Sequence, residues 1–299
     1  MKKMLFFINP NAGHSGIRTQ LLSILQIFCS AGYDVRVYTT SGPREITRVI
    51  EAEGANYDII VSSGGDGTLN ETVAGLLRLE HPPLLGYIPA GTVNDVAASL
   101  GLPMDTLEAA RNVVGGEPMD LDVGTLNGRA YAYVAAFGAF TEVSYATPQD
   151  AKKLLGRLAY LLAGVKSLGE IKPIHARVIA DGVDEEDDFV FGMVCSTKSV
   201  GGFRPANVRE LGISLNDGLS EAVWVRDIKY LLDFNEVAGQ VLRIDFSDPK
   251  RVLYFQADQV RVEFERDVAW TVDGEAGGLF HTAMLQNHCR AIRVLVPKA

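Results

Sequence analysis

"YDIIVSSGGDGTLNE" (residues 57–71) begins as an apolar run and ends as the opening of a helix, with glycines packed between the two. Thr68 and Glu71 stand three apart, the spacing of a capping box, and so account for "TLNE" as a helix start near residue 68. They leave "GGDG" unexplained. Glycines on both sides of Asp66 let the backbone approach a ligand more closely than side chains would permit, and the carboxylate then needs a cation or a donor. Upstream and downstream the same alternation repeats. "MLFFI" (4–8), "DVRVYT" (34–39), "DIIVS" (58–62) and "LLGYI" (84–88) read as strands, and the stretches 16–31, 44–53 and 68–79 read as helices, with another opening at Thr92. Short apolar strands alternating with helices predict βα units and a parallel sheet, whose ligands sit outside the carboxyl ends of the strands.

The pattern changes at "MDLDVGTLNGRAYAYVAAF" (119–137), where Asn127-Gly128 between alternating segments is a strong hairpin signal. Strand-like stretches then dominate: 174–180, 189–194, 219–225, 251–256, 259–265 and 268–272, interrupted by helical patterns near 150–168 and 227–242. The expectation is an α/β domain with a parallel sheet flanked by helices, over residues 1–124, followed by a mostly antiparallel β-sandwich over 125–289. "DGVDEEDD" (181–188) falls between two strands and reads as a solvated hairpin tip.

The formal charge of −9 argues against nucleic-acid binding through a globally basic surface. Cys29, Cys195 and Cys289 are odd in number and far apart, which suits a reducing compartment, and the start "MKKMLFFINPNAG" lacks a small-residue cleavage site. A cytoplasmic protein is expected.

Three loops follow the first, third and fourth strands: "NPNAG" (9–13), "GGDGT" (64–68) and "PAGT" (89–92), and "GTVND" (91–95) repeats the pattern of "GTLNE" (67–71). Two helix N-termini beside glycine form an anion site. The chain contains neither GxxxxGK[ST] nor GxGxxG, so a triphosphate held here needs a metal to offset its charge, and Asp66, Asp95 and Asp122 offer the hard oxygens magnesium prefers. Taken alone, Asp95 reads as a cap and Asp273-Gly274 in "WTVDGEAGG" (270–278) as a tight turn; "SLNDGL" (214–219) has the same ambiguity.

Taken together, "NPNAG", "GGDGTLNE", "PAGTVND", "LDVG", "LNDG" and "VDGE" occur in the order seen in soluble bacterial lipid kinases of the diacylglycerol kinase catalytic-domain family, which the whole chain resembles. The resemblance implies an ATP-binding α/β domain and a lipid-substrate β-sandwich with a cleft between them, the extreme C-terminus (about 290–299) packing back on the first. It implies ATP contacts from Asn9, Pro10, Asn11, Ala12 and Gly13, from Gly65, Asp66, Gly67, Thr68, Leu69, Asn70 and Glu71, and from Thr92, with Thr40 or its neighbour Thr39 near the nucleotide. Asp66, Asp95 and Asp122 would organise the catalytic Mg2+, Asp273 would be the general base, and Asp217 with backbone oxygens of Ser214 and Leu219 would hold a second, structural Mg2+. The chain has His14 where the family often has a basic residue. A lipid acceptor at the membrane surface, peripheral membrane contact and a homodimer follow as expectations, with no nucleic-acid partner. The basic, leucine-rich stretch 151–172 reads equally as an interfacial helix or as a core helix. Two rival readings are phosphorylation of a soluble acceptor, as in NAD kinases, and a nucleotide-responsive regulator without catalysis.

Overall fold

The computed structural model describes residues 1–12, 17–92, 94–138, 172–196, 213–227 and 250–298. The chain divides into two units, Met1–Val123 with Arg290–Ala299, and Gly124–Cys289. His14, the helical pattern near 150–168, nearly all of 151–172 and nearly all of 227–242 lie outside the described residues.

In the first unit β1 (Lys2–Ile8), α1 (Ile17–Ser30), β2 (Tyr33–Thr39), α2 (Glu45–Glu53), β3 (Ile59–Gly64), α3 (Asp66–Leu76) and β4 (Leu84–Pro89) follow the alternation read from the sequence. The strands are parallel, in the order β2-β1-β3-β4. Met4 to Ile8 is buried without alternation because helices cover both faces of a parallel sheet. Phe6 meets Phe28 of α1 edge to face at 5.5 Å, and Ile24, Val61, Ile88 and Val113 fill the same core. After β4 come α4 (Asp95–Ser99), α5 (Thr106–Gly115) and β5 (Glu117–Leu126). Near the chain end Val294 pairs in parallel with Leu85, and Asn112 Nδ2 donates to the Leu295 carbonyl at 3.0 Å.

Three local readings change. Helix α3 starts at Asp66, not at 68, so Thr68 lies inside the helix and no side chain caps it. The Thr68–Glu71 capping box therefore does not form: Thr68 Oγ1 accepts from Asn9 Nδ2 (3.0 Å), and Glu71 Oε1 accepts from the Arg44 N–H (2.8 Å). The helix placed at Thr92 begins at Asp95 and is five residues long. Helix α5 is an addition to the expected helices, although "DTLE" (105–108) marks its start, since Asp105 Oδ1 accepts from the N–H groups of Leu107 and Glu108, both at 3.0 Å.

The second unit is antiparallel. β5 turns into β6 (Arg129–Tyr131) through Asn127 (φ 47) and Gly128 (φ 80), the left-handed pair a two-residue hairpin requires. It continues through β7 (Val134–Gly138), β8 (Ile174–Ala180), β9 (Val183–Cys195), β10 (Ser220–Arg226), β11 (Val252–Ala257), β12 (Gln259–Val272) and β13 (Glu275–Val296). β9 pairs with β8 over its first half and with β7 and β10 over its second. β12 likewise passes from β8 to β7, so the sheet folds over on itself as a sandwich. Phe137 sits at its centre, 5.4 Å from Trp224 and 5.0 Å from both Phe264 and Trp270. Trp224 is fully buried, so Trp224→Ala should cost about 3–5 kcal/mol in urea denaturation of the whole chain.

The acidic run 183–188 is strand, not hairpin tip; only Asp181 and Gly182 turn. Its exposed side chains find cations across the sheet: Asp184 binds Arg177, and Arg226 reaches both Glu185 and Asp187. His175 Nδ1 lies 2.9 Å from Asp188 and Nε2 lies 3.2 Å from Glu186, and those two carboxylates raise its pKa. A raised pKa gives stability that is complete below the unfolded value near 6.5 and is lost as pH rises through the folded one. Amide exchange in β8 and β9 should therefore quicken on going from pH 6 to pH 8 in the wild type, relative to a His175→Asn variant.

Among the described residues no helix is long and apolar enough to cross a membrane. The three cysteines are unbridged.

Candidate functional site

β1, β3 and β4 end side by side, and the turns that follow them are knitted together. The Asn9 N–H donates to the Ser63 carbonyl (3.0 Å) and the Ala90 N–H to that of Gly64 (2.7 Å). Asn9 Oδ1 holds the Asn11 N–H at 2.9 Å. The Asn94 N–H donates to Asp66 Oδ2 at 3.0 Å. The turns after β3 and β4 touch backbone to backbone, for a Cβ on Gly91 would lie 2.5 Å from Gly65 Cα. One on Gly64 would strike Thr68 Oγ1 at 2.3 Å. The glycines thus let two turns share space that any other residue would fill.

Asn94 and Tyr87 are the parts the sequence reading missed. Asn94 adopts φ 57; its Oδ1 accepts the Gly91 N–H (2.9 Å) and its Nδ2 donates to the Gly91 carbonyl (3.0 Å), closing the turn on itself. Asparagine tolerates this left-handed conformation, so its place after "GTV" was a readable signal. The Tyr87 hydroxyl donates to the Gly64 carbonyl at 3.0 Å, and burial, with the charge of Asp66, keeps its pKa well above the ordinary value. It remains a donor, and nothing in the strand pattern distinguishes it.

Helix α3 opens at Gly65 without a side-chain cap, leaving its first N–H groups and the positive end of its dipole facing the knitted turns. α4 is too short to add a comparable dipole, so the site has one helix N-terminus of consequence.

Of the residues expected at this site, Asn9, Gly65, Asp66 and Thr68 are brought together; Pro10, Asn11, Ala12, Gly67 and Asn70 belong to the same turns or to α3. Leu69 is buried in the unit, Thr92 is exposed, and Gly13 lies outside the described residues. Thr40 follows β2 and donates its N–H to the Ile8 carbonyl at 3.0 Å, on the same sheet edge. Asp95 is buried at the start of α4. Asp122 is buried in β5, where its Oδ1 accepts the Arg290 N–H at 2.7 Å. Among the described residues no three His, Cys, Asp or Glu side chains gather as a metal cage. Were magnesium bound here, these carboxylates would meet it one or two at a time, with water and phosphate completing its shell.

In the second unit Asp217 Oδ1 accepts the Leu219 N–H (3.0 Å), Ser214 Oγ donates to Asn216 Oδ1 (3.0 Å), and Gly218 has φ 86. Asp273 and Gly274, at φ 50 and φ 78, make the two-residue turn between β12 and β13. The Asp273 side chain also reaches back across the sheet. Its Oδ2 accepts from the Ala132 N–H (2.6 Å), and its Oδ1 from those of Tyr133 and Val134 (both 3.0 Å). Three backbone donors fix the orientation of one part-buried carboxylate.

Two family profiles match the chain. That of the diacylglycerol kinase catalytic domain covers residues 3–126, and that of the YegS C-terminal NAD kinase beta sandwich-like domain covers residues 134–296. The chain belongs to the diacylglycerol kinase catalytic-domain family. It is 34% identical over 300 residues to the diacylglycerol kinase of Bacillus subtilis strain 168, covering 100% of this chain and 97% of that one. It is 31% identical to the diacylglycerol kinase of Staphylococcus aureus strain MRSA252, covering 99% and 93%. A crystal structure described as a candidate diacylglycerol kinase from Bacillus anthracis strain Sterne superposes with TM-score 0.82 at 25% identity, over 99% of this chain and 97% of that one. In family terms the cradle lies inside the catalytic-domain profile and Asp273 inside the sandwich-like one, while Ala132 and Tyr133, which clamp it, fall between the two.

Proposed function

We propose that the protein is an ATP-dependent lipid kinase that transfers the γ-phosphoryl group of ATP to a hydroxyl of diacylglycerol or a related lipid. The observation that carries this reading is the uncapped start of α3, drawn against Gly91, in a chain whose full-length relatives are named diacylglycerol kinases. Phosphoryl transfer asks a protein mainly for positioning and charge stabilisation. The N–H groups at the start of α3 and the glycine turns receive the phosphates, with Asn9 and Asn94 holding the turns in place. Asp273 takes the proton of the acceptor hydroxyl, and its three backbone bonds orient it for that task. Asp66, Asp95 and Asp122 would hold a Mg2+ ion, which would supply the positive charge that a cradle without lysine lacks. Asp217, with the backbone oxygens of Ser214 and Leu219, would hold a second Mg2+. The acceptor is met at the membrane surface.

A second reading, phosphorylation of NAD or another soluble acceptor, is favoured by the NAD kinase-like description of the sandwich profile. Incubation with γ-labelled ATP, Mg2+, diacylglycerol in mixed micelles and, separately, NAD decides between them. The lipid reading expects label in the lipid phase. Label on NAD alone would replace it.

A further inference from the structure

The turn after β2, residues Thr40 to Arg44, is held far more firmly than an exposed loop needs to be. Glu45 Oε2 accepts from the Ser41 N–H (2.7 Å), the Ser41 hydroxyl (3.0 Å) and the Gly42 N–H (3.3 Å), while its Oε1 accepts from the Tyr38 hydroxyl (2.8 Å). The Ser41 N–H above all, and next the Tyr38 hydroxyl, hold the Glu45 carboxyl down at about 2. At the other end Arg44 is the residue preceding α2 and has φ 61, a strained conformation for arginine. Its N–H is taken by Glu71 Oε1 at 2.8 Å, and Thr47 Oγ1 donates to the Glu71 carbonyl at 2.8 Å. A glutamate from the middle of the phosphate helix thus reaches sideways to fix a neighbouring turn. Strain that surrounding bonds over-determine is a reason to look for function.

The position of the turn supplies it. Ile8 at the end of β1 pairs with Thr39 of β2 on one side and with Ser63 of β3 on the other. At a strand spacing of about 4.8 Å, the turn after β2 lies about 10 Å along the sheet edge from the start of α3. That separation is about the reach from the terminal phosphates of an ATP to its nucleoside, were the phosphates to rest on α3. We infer that Glu71 and Glu45 are positioning residues for Thr40–Arg44, the turn on the nucleoside side of the site, Glu71 acting through the Arg44 N–H and not on phosphate or metal. This rests on the kinase reading above and assigns Glu71 a role different from a direct ATP contact.

The test is competition with a fluorescent ATP analogue, measured without acceptor, using ATP and inorganic tripolyphosphate as competitors. Glu71→Ala and Glu45→Ala should each weaken ATP about tenfold while leaving tripolyphosphate within about twofold, since one lost bond to a charged acceptor is worth about 1.4 kcal/mol. Glu71→Gln keeps a carbonyl oxygen for the Arg44 N–H and should bind ATP within about threefold of wild type. Equal weakening of ATP and tripolyphosphate, or a Gln variant as impaired as Ala, would show Glu71 working on the phosphates or their cation and would overturn the inference. So would a folded Glu71→Ala variant with unchanged ATP affinity. A wild-type protein that binds neither competitor would bring down the kinase reading itself, and this inference with it.

Discussion

Gly91→Ala should lower kcat/KM for ATP at least about 100-fold, because its new methyl would lie 2.5 Å from Gly65 Cα and 2.7 Å from Asn94 Oδ1. Gly65 Cα is backbone, and Asn94 Oδ1, though a side-chain atom, is held by the Gly91 N–H, so the two turns must separate, and a displacement near 1 Å in a positioning site has an effect of that order. The overpacking should also cost about 1–3 kcal/mol in thermal or urea unfolding. Gly65→Ala is the internal control. Its Cβ would lie 3.2 Å from Gly91 Cα, a contact relieved by a shift of a few tenths of an ångström, and its loss of activity should be clearly smaller. Similar losses for the two variants would mean that the touching backbones are not what shapes the cradle.

Asp273→Asn should keep ATP affinity within about twofold and lose about 10²–10⁴ in kcat, the contribution of a positioned general base. The clamp adds a consequence that the bare sequence does not suggest. Both carboxylate oxygens accept backbone N–H groups, so an asparagine must turn its NH2 toward a donor that has no use for it. A backbone N–H left unpaired in this part-buried turn costs about 1–3 kcal/mol, so the variant should also melt several degrees lower. Measuring kcat at a temperature where the variant is fully folded separates the two effects. Full turnover by a folded Asp273→Asn protein would remove Asp273 from the chemistry and leave it as the clasp of a hairpin. Loss of ATP affinity would be equally damaging.

Much of the fold was legible because period and punctuation agree. The apolar runs ending at Ile8, Thr39, Gly64 and Pro89, each closed by a turn and followed by a helical pattern, admit little besides parallel βα units. Asn127-Gly128 announced its hairpin by the one backbone geometry those residues favour. What was misread is instructive. Thr68 and Glu71 have capping-box spacing, yet tertiary partners from Asn9 and Arg44 outbid the local pairing, and the helix starts two residues earlier. The acids of 183–188 looked like a solvated tip because their cations, Arg177 and Arg226, come from other strands. The long strand β13 shows only broken alternation and was not recognised. At the site, glycines and aspartates were visible as residues that need a reason. Their knitting by Asn94 and Tyr87, and the triple amide clamp on Asp273, depend on chain segments distant in sequence and had no local signature.

If the turns after β1, β3 and β4 and the start of α3 receive the phosphates of ATP, as proposed, residue-resolved amide exchange with Mg2+ and ATP should slow at Gly65–Leu69 relative to the protein alone, with smaller protection at Asn9–Ala12 and Ala90–Asn94. Exchange unchanged at Gly65–Leu69 under saturating nucleotide, with protection appearing elsewhere in the chain, would place the phosphates somewhere else.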